Sequence, residues 1–206
     1  VISSAASDVY KRQHIGHAPV FAQRLSFTGE TGWEIFVTPD FAEHVLEIIL
    51  KAGQPLGLRL AGGEALNALR IEKGFLHWGA DMAYTEAPYQ LGLDFICKPG
   101  KTLPFIGQDA CLARKADPKG PCLRSVRLAD PDAILHHNEP VLRDGQIIGF
   151  VTSGAFCAMQ KAAVGLCLVS PTDGAGGFEA VDDGPCSVMV EGREVPAELR
   201  RKPFGA

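Results

Sequence analysis

The stretch Val20-Phe21-Ala22-Gln23-Arg24-Leu25-Ser26-Phe27-Thr28-Gly29-Glu30-Thr31-Gly32-Trp33-Glu34-Ile35-Phe36-Val37 decides the fold of the amino-terminal half. Phe21, Leu25 and Phe27 fall on one side of an alternating run, Thr28 to Gly32 supply turn chemistry, and Trp33, Ile35 and Val37 alternate again, which predicts a β-hairpin with a loop of about five residues. In the second strand Trp33, Ile35 and Val37 share one face and leave Glu34 and Phe36 on the other.

Working forward, Thr38 as N-cap and Pro39 at the first helical position open a helix. Phe41, Val45, Ile48, Ile49 and Ala52 form its apolar stripe, and Gly53 closes it. A second helix over Gly63–Lys73 turns Ala65, Leu66 and Leu69 inward and stops at Gly74. Pro88 and Pro99 bracket a short strand near Leu93–Lys98, and Ile106–Lys115 reads as one more helix. Strands and helices in this order predict an α+β layer. Working backward, Val1–Gln13 is small, polar and without either hydrophobic period. It resembles translated adapter read-through, and it is set aside as a non-native scar that packs on nothing.

Beyond Ala116–Gly120 the pattern becomes all β. Cys122–Leu128, Pro140–Arg143, Ile147–Thr152, Ala163–Val169 and Cys186–Glu191 are short strands, and Asp144-Gly145 is a tight hairpin turn. The fold class is therefore α+β: an α+β subdomain over 18–117, followed over 118–206 by a small antiparallel β-barrel.

Composition narrows the function. The chain has 206 residues, 46% hydrophobic and 21% charged, with 20 basic against 24 acidic side chains and a net charge of −4. The absence of a basic block argues against nucleic acid as partner. No run reaches the roughly 18 apolar residues of a membrane helix, and no signal peptide is visible. Six cysteines stand ten or more residues apart, without the CxxC or HxxxH steps of metal sites, and read as small buried hydrophobes of a reducing cytoplasm.

Several candidate sites dissolve on inspection. Gly174-Ala175-Gly176-Gly177 lacks the strand-to-helix context of a phosphate cradle. His136 and His137, neighbours on a strand, point opposite ways and cannot share a metal. Ser153 has no nucleophile elbow around it, and Thr152-Ser153-Gly154 reads as a strand-ending turn. Glu34 beside aromatics is the informative carboxylate: either it is solvated on an open sheet face, or it accepts paired N–H bonds from the edge of a planar heterocycle stacked on Phe27, Phe36 and Phe95.

The run Phe27–Phe36 resembles the YTGExGxE hallmark of the glycine-cleavage T-protein (aminomethyltransferase) family. Four later segments recur in the family's order: Leu69–Gly74, Pro88–Lys98, Phe105–Ala110, and Gly149–Gly154 with Lys161. The form of these motifs is most similar to the folate-binding carboxy-terminal region of dimethylglycine and sarcosine dehydrogenases.

The resemblance implies a trefoil around a central hole that binds tetrahydrofolate, of which this chain supplies the α+β subdomain and the barrel. It implies cofactor binding by Phe27, Glu34, Ile35, Phe36 and Phe95, with no catalytic residue in these 206 positions, because the family's key aspartate lies in a missing amino-terminal part of the chain. The implied partners are folate and a one-carbon unit from a methylated amine, with FAD in an upstream domain. The residues alone are expected to be inactive. A free-standing aminomethyltransferase and a non-catalytic folate-binding regulatory relative are the alternatives, and Leu66 in place of a pterin-contacting arginine counts against the first. Arg70 and Glu72, at i and i+2 on a helix, point apart and are read as structural salt-bridge residues rather than pocket residues.

Overall fold

A computed structural model of the chain describes residues 10–98, 100, 103–116, 120–171, 181 and 184–205. They fall into two compact units, Val1–Leu66 and Asn67–Ala206. By spatial contact the division precedes the expected Ala116–Gly120 boundary, because residues 67–116 cluster with the barrel.

The first unit holds a three-stranded antiparallel sheet in the order β1 (Tyr10–Ile15), β2 (Ala18–Gln23), β3 (Glu34–Phe36). β1 corrects the sequence reading. Residues 1–9 lie outside the described residues, but Tyr10–Gln13 are no inert scar: they pair along β2 from Tyr10↔Gln23 to Gln13↔Val20. The strand escaped detection because Arg12, Gln13 and His14 are all exposed, and among the described side chains of the strand Ile15 alone packs against the core.

The phase of β2 is also the reverse of that expected. Ala18, Val20 and Ala22 are buried while Phe21 stays partly exposed. Small residues occupy the inner face because helix α1 (Pro39–Gly53) packs there, its Val45 joining Ala18 and Val20, with Val37, Phe41 and Ile49 around them. Pairing ends at Gln23↔Glu34, so residues 24–33 form the connection, about twice the expected length for a hairpin of this kind. Thr38 precedes α1 in extended conformation with Pro39 inside the first turn. The helix runs on through Gly53 into a 3₁₀ turn, Gln54–Leu56, and Gly57 stops it with φ +76°.

Helix α2 (Gly63–Glu72) buries Arg70, Ile71 and Glu72, whereas Leu66 and Leu69, expected inward, are 42% and 40% exposed. The expected strand at Leu93–Lys98 is absent. The 3₁₀ turn Asp94–Ile96 stands there, entered through Leu93 at φ −100° and ψ 16°, outside the extended region a strand needs, and an earlier 3₁₀ turn, Pro88–Leu91, ends at Gly92 with φ +70°. Helix α3 spans Gln108–Ala116.

Six strands close the barrel in the order β4-β7-β6-β5-β8-β9: β4 Cys122–Leu128, β5 Pro140–Arg143, β6 Gln146–Cys157, β7 Ala162–Val169, β8 Gly184–Val190 and β9 Arg193–Arg200. The Asp144-Gly145 turn has φ of 51° and 74° at its two positions, as a type I′ hairpin requires. Glu191-Gly192 repeats it with φ of 49° and 80° and leads into β9. That strand is concealed in sequence by Glu194, Pro196 and Glu198, although Val195, Ala197 and Leu199 alternate inward.

Closure leaves no free edge, and Val126, Val141, Val151, Val188 and Leu199 fill the interior. Cys122, Cys157 and Cys167 are buried in apolar surroundings. Burial is the main cause that pushes the Cys157 thiol up to about 12 and the Cys186 thiol up to about 11, so both stay protonated and unreactive at neutral pH.

Deleting residues 1–15 removes β1 and bares the edge of β2. The expected result is a fall in melting temperature of about 5 °C or more, read by circular dichroism. An unchanged melt would return the segment to an inert tail.

Candidate functional site

Cross-strand register builds one face of the small sheet. Phe21 stands opposite Phe36 and Gln23 opposite Glu34, and Arg12 stands opposite Phe21 on the other side. Directly opposed residues share a face, and this face is the one turned away from α1, because Ala18, Val20 and Ala22 occupy the inner one. The Phe21 and Phe36 rings lie 5.9 Å apart at 51°, a tilted aromatic pair.

Glu34 is half-buried beside this pair and has no hydrogen-bond or ion-pair partner among the described residues. A carboxylate with free acceptor positions next to a 51% exposed Phe36 ring can take N–H donors from a flat molecule laid on the aromatics. Arg12, exposed on the same face, can meet an anionic group.

The five expected site residues do not all converge. Glu34 and Phe36 share the open face. Ile35 points to the other side, 39% exposed, as strand alternation demands. Phe27 is half-buried in the 24–33 connection. Phe95 belongs to the second unit, in the 3₁₀ turn Asp94–Ile96, where it is 60% exposed. Phe21 was missed as a site residue because the inverted strand phase assigned it to the core.

The second unit contains a buried polar cluster. Asp81 is 0% and Arg70 2% exposed, and they form an ion pair through Arg70 Nη1 and Asp81 Oδ2. The same carboxylate oxygen accepts the His77 backbone N–H at 2.9 Å. Its other oxygen accepts the hydroxyls of Thr152 at 2.6 Å and Ser153 at 2.7 Å. Arg70 Nη2 donates to Ser153 Oγ at 2.6 Å, Nε to Asn67 Oδ1 at 2.9 Å, and Nη1 also to the Phe75 carbonyl at 3.2 Å.

Thr152-Ser153-Gly154 is therefore not a strand-ending turn. It lies inside β6 at a bulge, where Val151 opposes Cys167 and Ser153 already opposes Leu166. The extra residue lets two successive hydroxyls reach one oxygen, which strict alternation forbids. With every hydrogen-bonding group of the carboxylate engaged, Ser153 is a structural hydroxyl and Arg70 a structural cation.

Other candidates carry less. His136 and His137 are exposed and lie on the β4–β5 connection rather than on a strand, and the His136 N–H is held by Glu139 at 2.8 Å. The described residues contain no group of three potential metal ligands. The glycine-rich run 174–177 lies outside the described residues. Gln90, inside the Pro88–Lys98 segment, is 4% exposed and donates to the Pro121 carbonyl at 2.9 Å.

Comparison with known proteins accounts for these motifs. The profile of the GCVT N-terminal domain matches residues 7–101, and that of the glycine cleavage T-protein C-terminal barrel domain matches 122–205. This chain belongs to the glycine-cleavage T-protein family. Over 89% of its length it is 41% identical to 4-methylaminobutanoate oxidase (formaldehyde-forming) of Paenarthrobacter nicotinovorans, covering 22% of that protein. Over 74% it is 38% identical to mitochondrial dimethylglycine dehydrogenase of Rattus norvegicus, covering 18%. Over 92% it is 30% identical to an aminomethyltransferase of Porphyromonas gingivalis, covering 51%.

The chain thus spans about a fifth of the oxidase and dehydrogenase and half of the aminomethyltransferase. The crystal structure of glycine cleavage system aminomethyltransferase T from Bartonella henselae superposes on 90% of the chain with a TM-score of 0.75 at 22% identity, covering 49% of that structure, and so supports the fold. In this T-protein domain two family motifs, Leu69–Gly74 and Gly149–Gly154, meet in the Arg70–Asp81–Ser153 cluster. Asp81 itself, eleven residues from Arg70 and 71 from Thr152, had no local sequence signal.

Asp81→Ala leaves Arg70 buried without its counter-ion and is expected to cost about 3–5 kcal/mol in urea unfolding. The double variant R70A/D81A should cost less than the sum of the singles by about 1 kcal/mol or more. Additive losses would show that the two charges do not act as a pair.

Proposed function

We propose that this chain is the tetrahydrofolate-binding, one-carbon-transfer part of a demethylating oxidoreductase of the dimethylglycine or sarcosine dehydrogenase kind. The observation that carries the reading is Glu34: a partnerless, half-buried carboxylate beside the Phe21–Phe36 pair, inside a T-protein family domain. Such a group suits the 2-amino and ring N–H edge of a pterin, and the aromatic pair suits its flat face. Tetrahydrofolate, when bound, supplies the nitrogen nucleophiles that accept a one-carbon unit at the oxidation level of formaldehyde, giving 5,10-methylene-tetrahydrofolate.

Glu34 holds the pterin edge and fixes its orientation. It moves no proton. Phe21 and Phe36 give the ring an apolar floor, and Phe27, in the adjoining connection, is assigned to the same site on the family pattern. Holding folate where the one-carbon unit is released replaces a bimolecular encounter, and this proximity is the main catalytic contribution. Oxidation of the methylated amine is assigned to FAD in an upstream domain. The higher identity to the oxidase and dehydrogenase than to the aminomethyltransferase, 41% and 38% against 30%, favours this reading over a lipoyl-dependent aminomethyltransferase. The absence of disulfides among the described cysteines suits a reducing compartment, the cytoplasm, although several relatives are mitochondrial.

Glu34→Gln should weaken tetrahydrofolate binding by about 1.5–3 kcal/mol, the worth of a charge-assisted hydrogen bond, with an unchanged melting temperature. Calorimetric titration of both proteins decides it. Equal affinities would reduce Glu34 to a solvated surface carboxylate.

A further inference from the structure

Four of the described cysteines are held inert: burial raises the thiols of Cys122, Cys157, Cys167 and Cys186, which slows their oxidation. Cys97 and Cys111 are only partly buried, and both line one narrow cleft between the 3₁₀ turn Asp94–Ile96 and helix α3.

Helical spacing and one ion pair set their register. Gln108, Cys111, Leu112 and Lys115 line the cleft from α3, the single face that steps of three and four residues produce. Asp94 and Cys97 line it from the turn, and the Lys115 ammonium meets Asp94 at 3.5 Å. Cys111 lies one turn of α3, about 6 Å, before Lys115. Cys97 lies one turn, also about 6 Å, beyond Asp94, its N–H donating to the Asp94 carbonyl at 3.0 Å. Each thiol thus stands one turn from the same ion pair on the wall of the same cleft. A disulfide requires Cα atoms about 4.4–6.8 Å apart. Helix α3 can settle into that range, because none of its described side chains is buried and a helix of nine residues is marginal without tertiary packing.

We propose that Cys97 and Cys111 form a reversible disulfide under peroxide, a redox clamp that pins α3 to the turn Asp94–Ile96. Hydrogen peroxide oxidises one thiol to a sulfenic acid and is reduced to water. The sulfur of the second thiol attacks that sulfenic sulfur, the S–S bond forms, and the hydroxyl leaves with the second thiol's proton as another water. A dithiol reductant restores both thiols. The inference is independent of folate binding, because no residue of the open sheet face takes part.

The test is peptide mapping by mass spectrometry of the intact chain, treated dilute with hydrogen peroxide and then alkylated. The expected product is a monomer in which the tryptic peptides carrying Cys97 and Cys111 are joined with the loss of two hydrogens, and dithiothreitol separates them. Cys97→Ser and Cys111→Ser should each abolish the link while leaving the melting temperature in reducing buffer unchanged, which shows that a lost link is not lost folding. In the oxidised wild-type protein the amide hydrogens of α3 should exchange roughly tenfold more slowly, since the closed loop removes open states. No joined peptide, a link found only in a covalent dimer, or a link that leaves α3 exchange unchanged would overturn the proposal.

Discussion

The buried Arg70–Asp81 pair is the constraint around which the second unit is organised. Two charges at 2% and 0% exposure are costly to desolvate, and the cost is offset only because donors converge on the carboxylate from three parts of the chain: the end of α2, the His77 backbone, and the β6 bulge. None of these parts satisfies the pair alone. Helix end, loop and barrel therefore form together or not at all, and this explains why residues 67–116 cluster with the barrel despite their different composition.

Glycines in the same motifs serve the same end by allowing backbones to approach. A Cβ at Gly149 would lie 2.0 Å from the Leu168 carbonyl oxygen, and one at Gly154 2.3 Å from that of Leu135. Gly74 combines φ +74° with a Pro203 side chain 2.4 Å from where its Cβ would stand. The family motifs of this unit thus specify packing and charge burial, while the candidate ligand chemistry gathers on the open sheet face of the first unit. A motif shared across a family need not touch its ligand.

How much was legible in sequence follows from the range of the interactions involved. Helix α1, the Asp144-Gly145 turn and most barrel strands announce themselves through local period and turn chemistry, and the structure has them nearly where expected. β1 and β9 stayed hidden because an edge position and a closed barrel let polar residues fill the outward sites of a strand, which erases the apolar run. The strand predicted near Leu93 failed because Leu93 itself leaves the extended region and Asp94–Ile96 close into a 3₁₀ turn, overriding local β propensity. For the site, Glu34 and Phe36 were readable from alternation, whereas Phe21 required the true register and Asp81 required contacts across 71 and 72 residues. Pattern reads neighbours, and partners distant in sequence need the fold.

The bulge at Thr152 bears on how this family tolerates changes in chain length. Because one supernumerary residue brings two hydroxyls onto a single oxygen, adding or losing a residue between Gly149 and Gly154 would turn one hydroxyl away and drive a glycine's neighbour into the adjoining strand. Gaps in comparisons between relatives should accordingly be excluded from this interval. They should gather instead at the exposed Gly145 and Gly192 tips, where a Cβ meets no atom within 4 Å and extra residues loop into solvent.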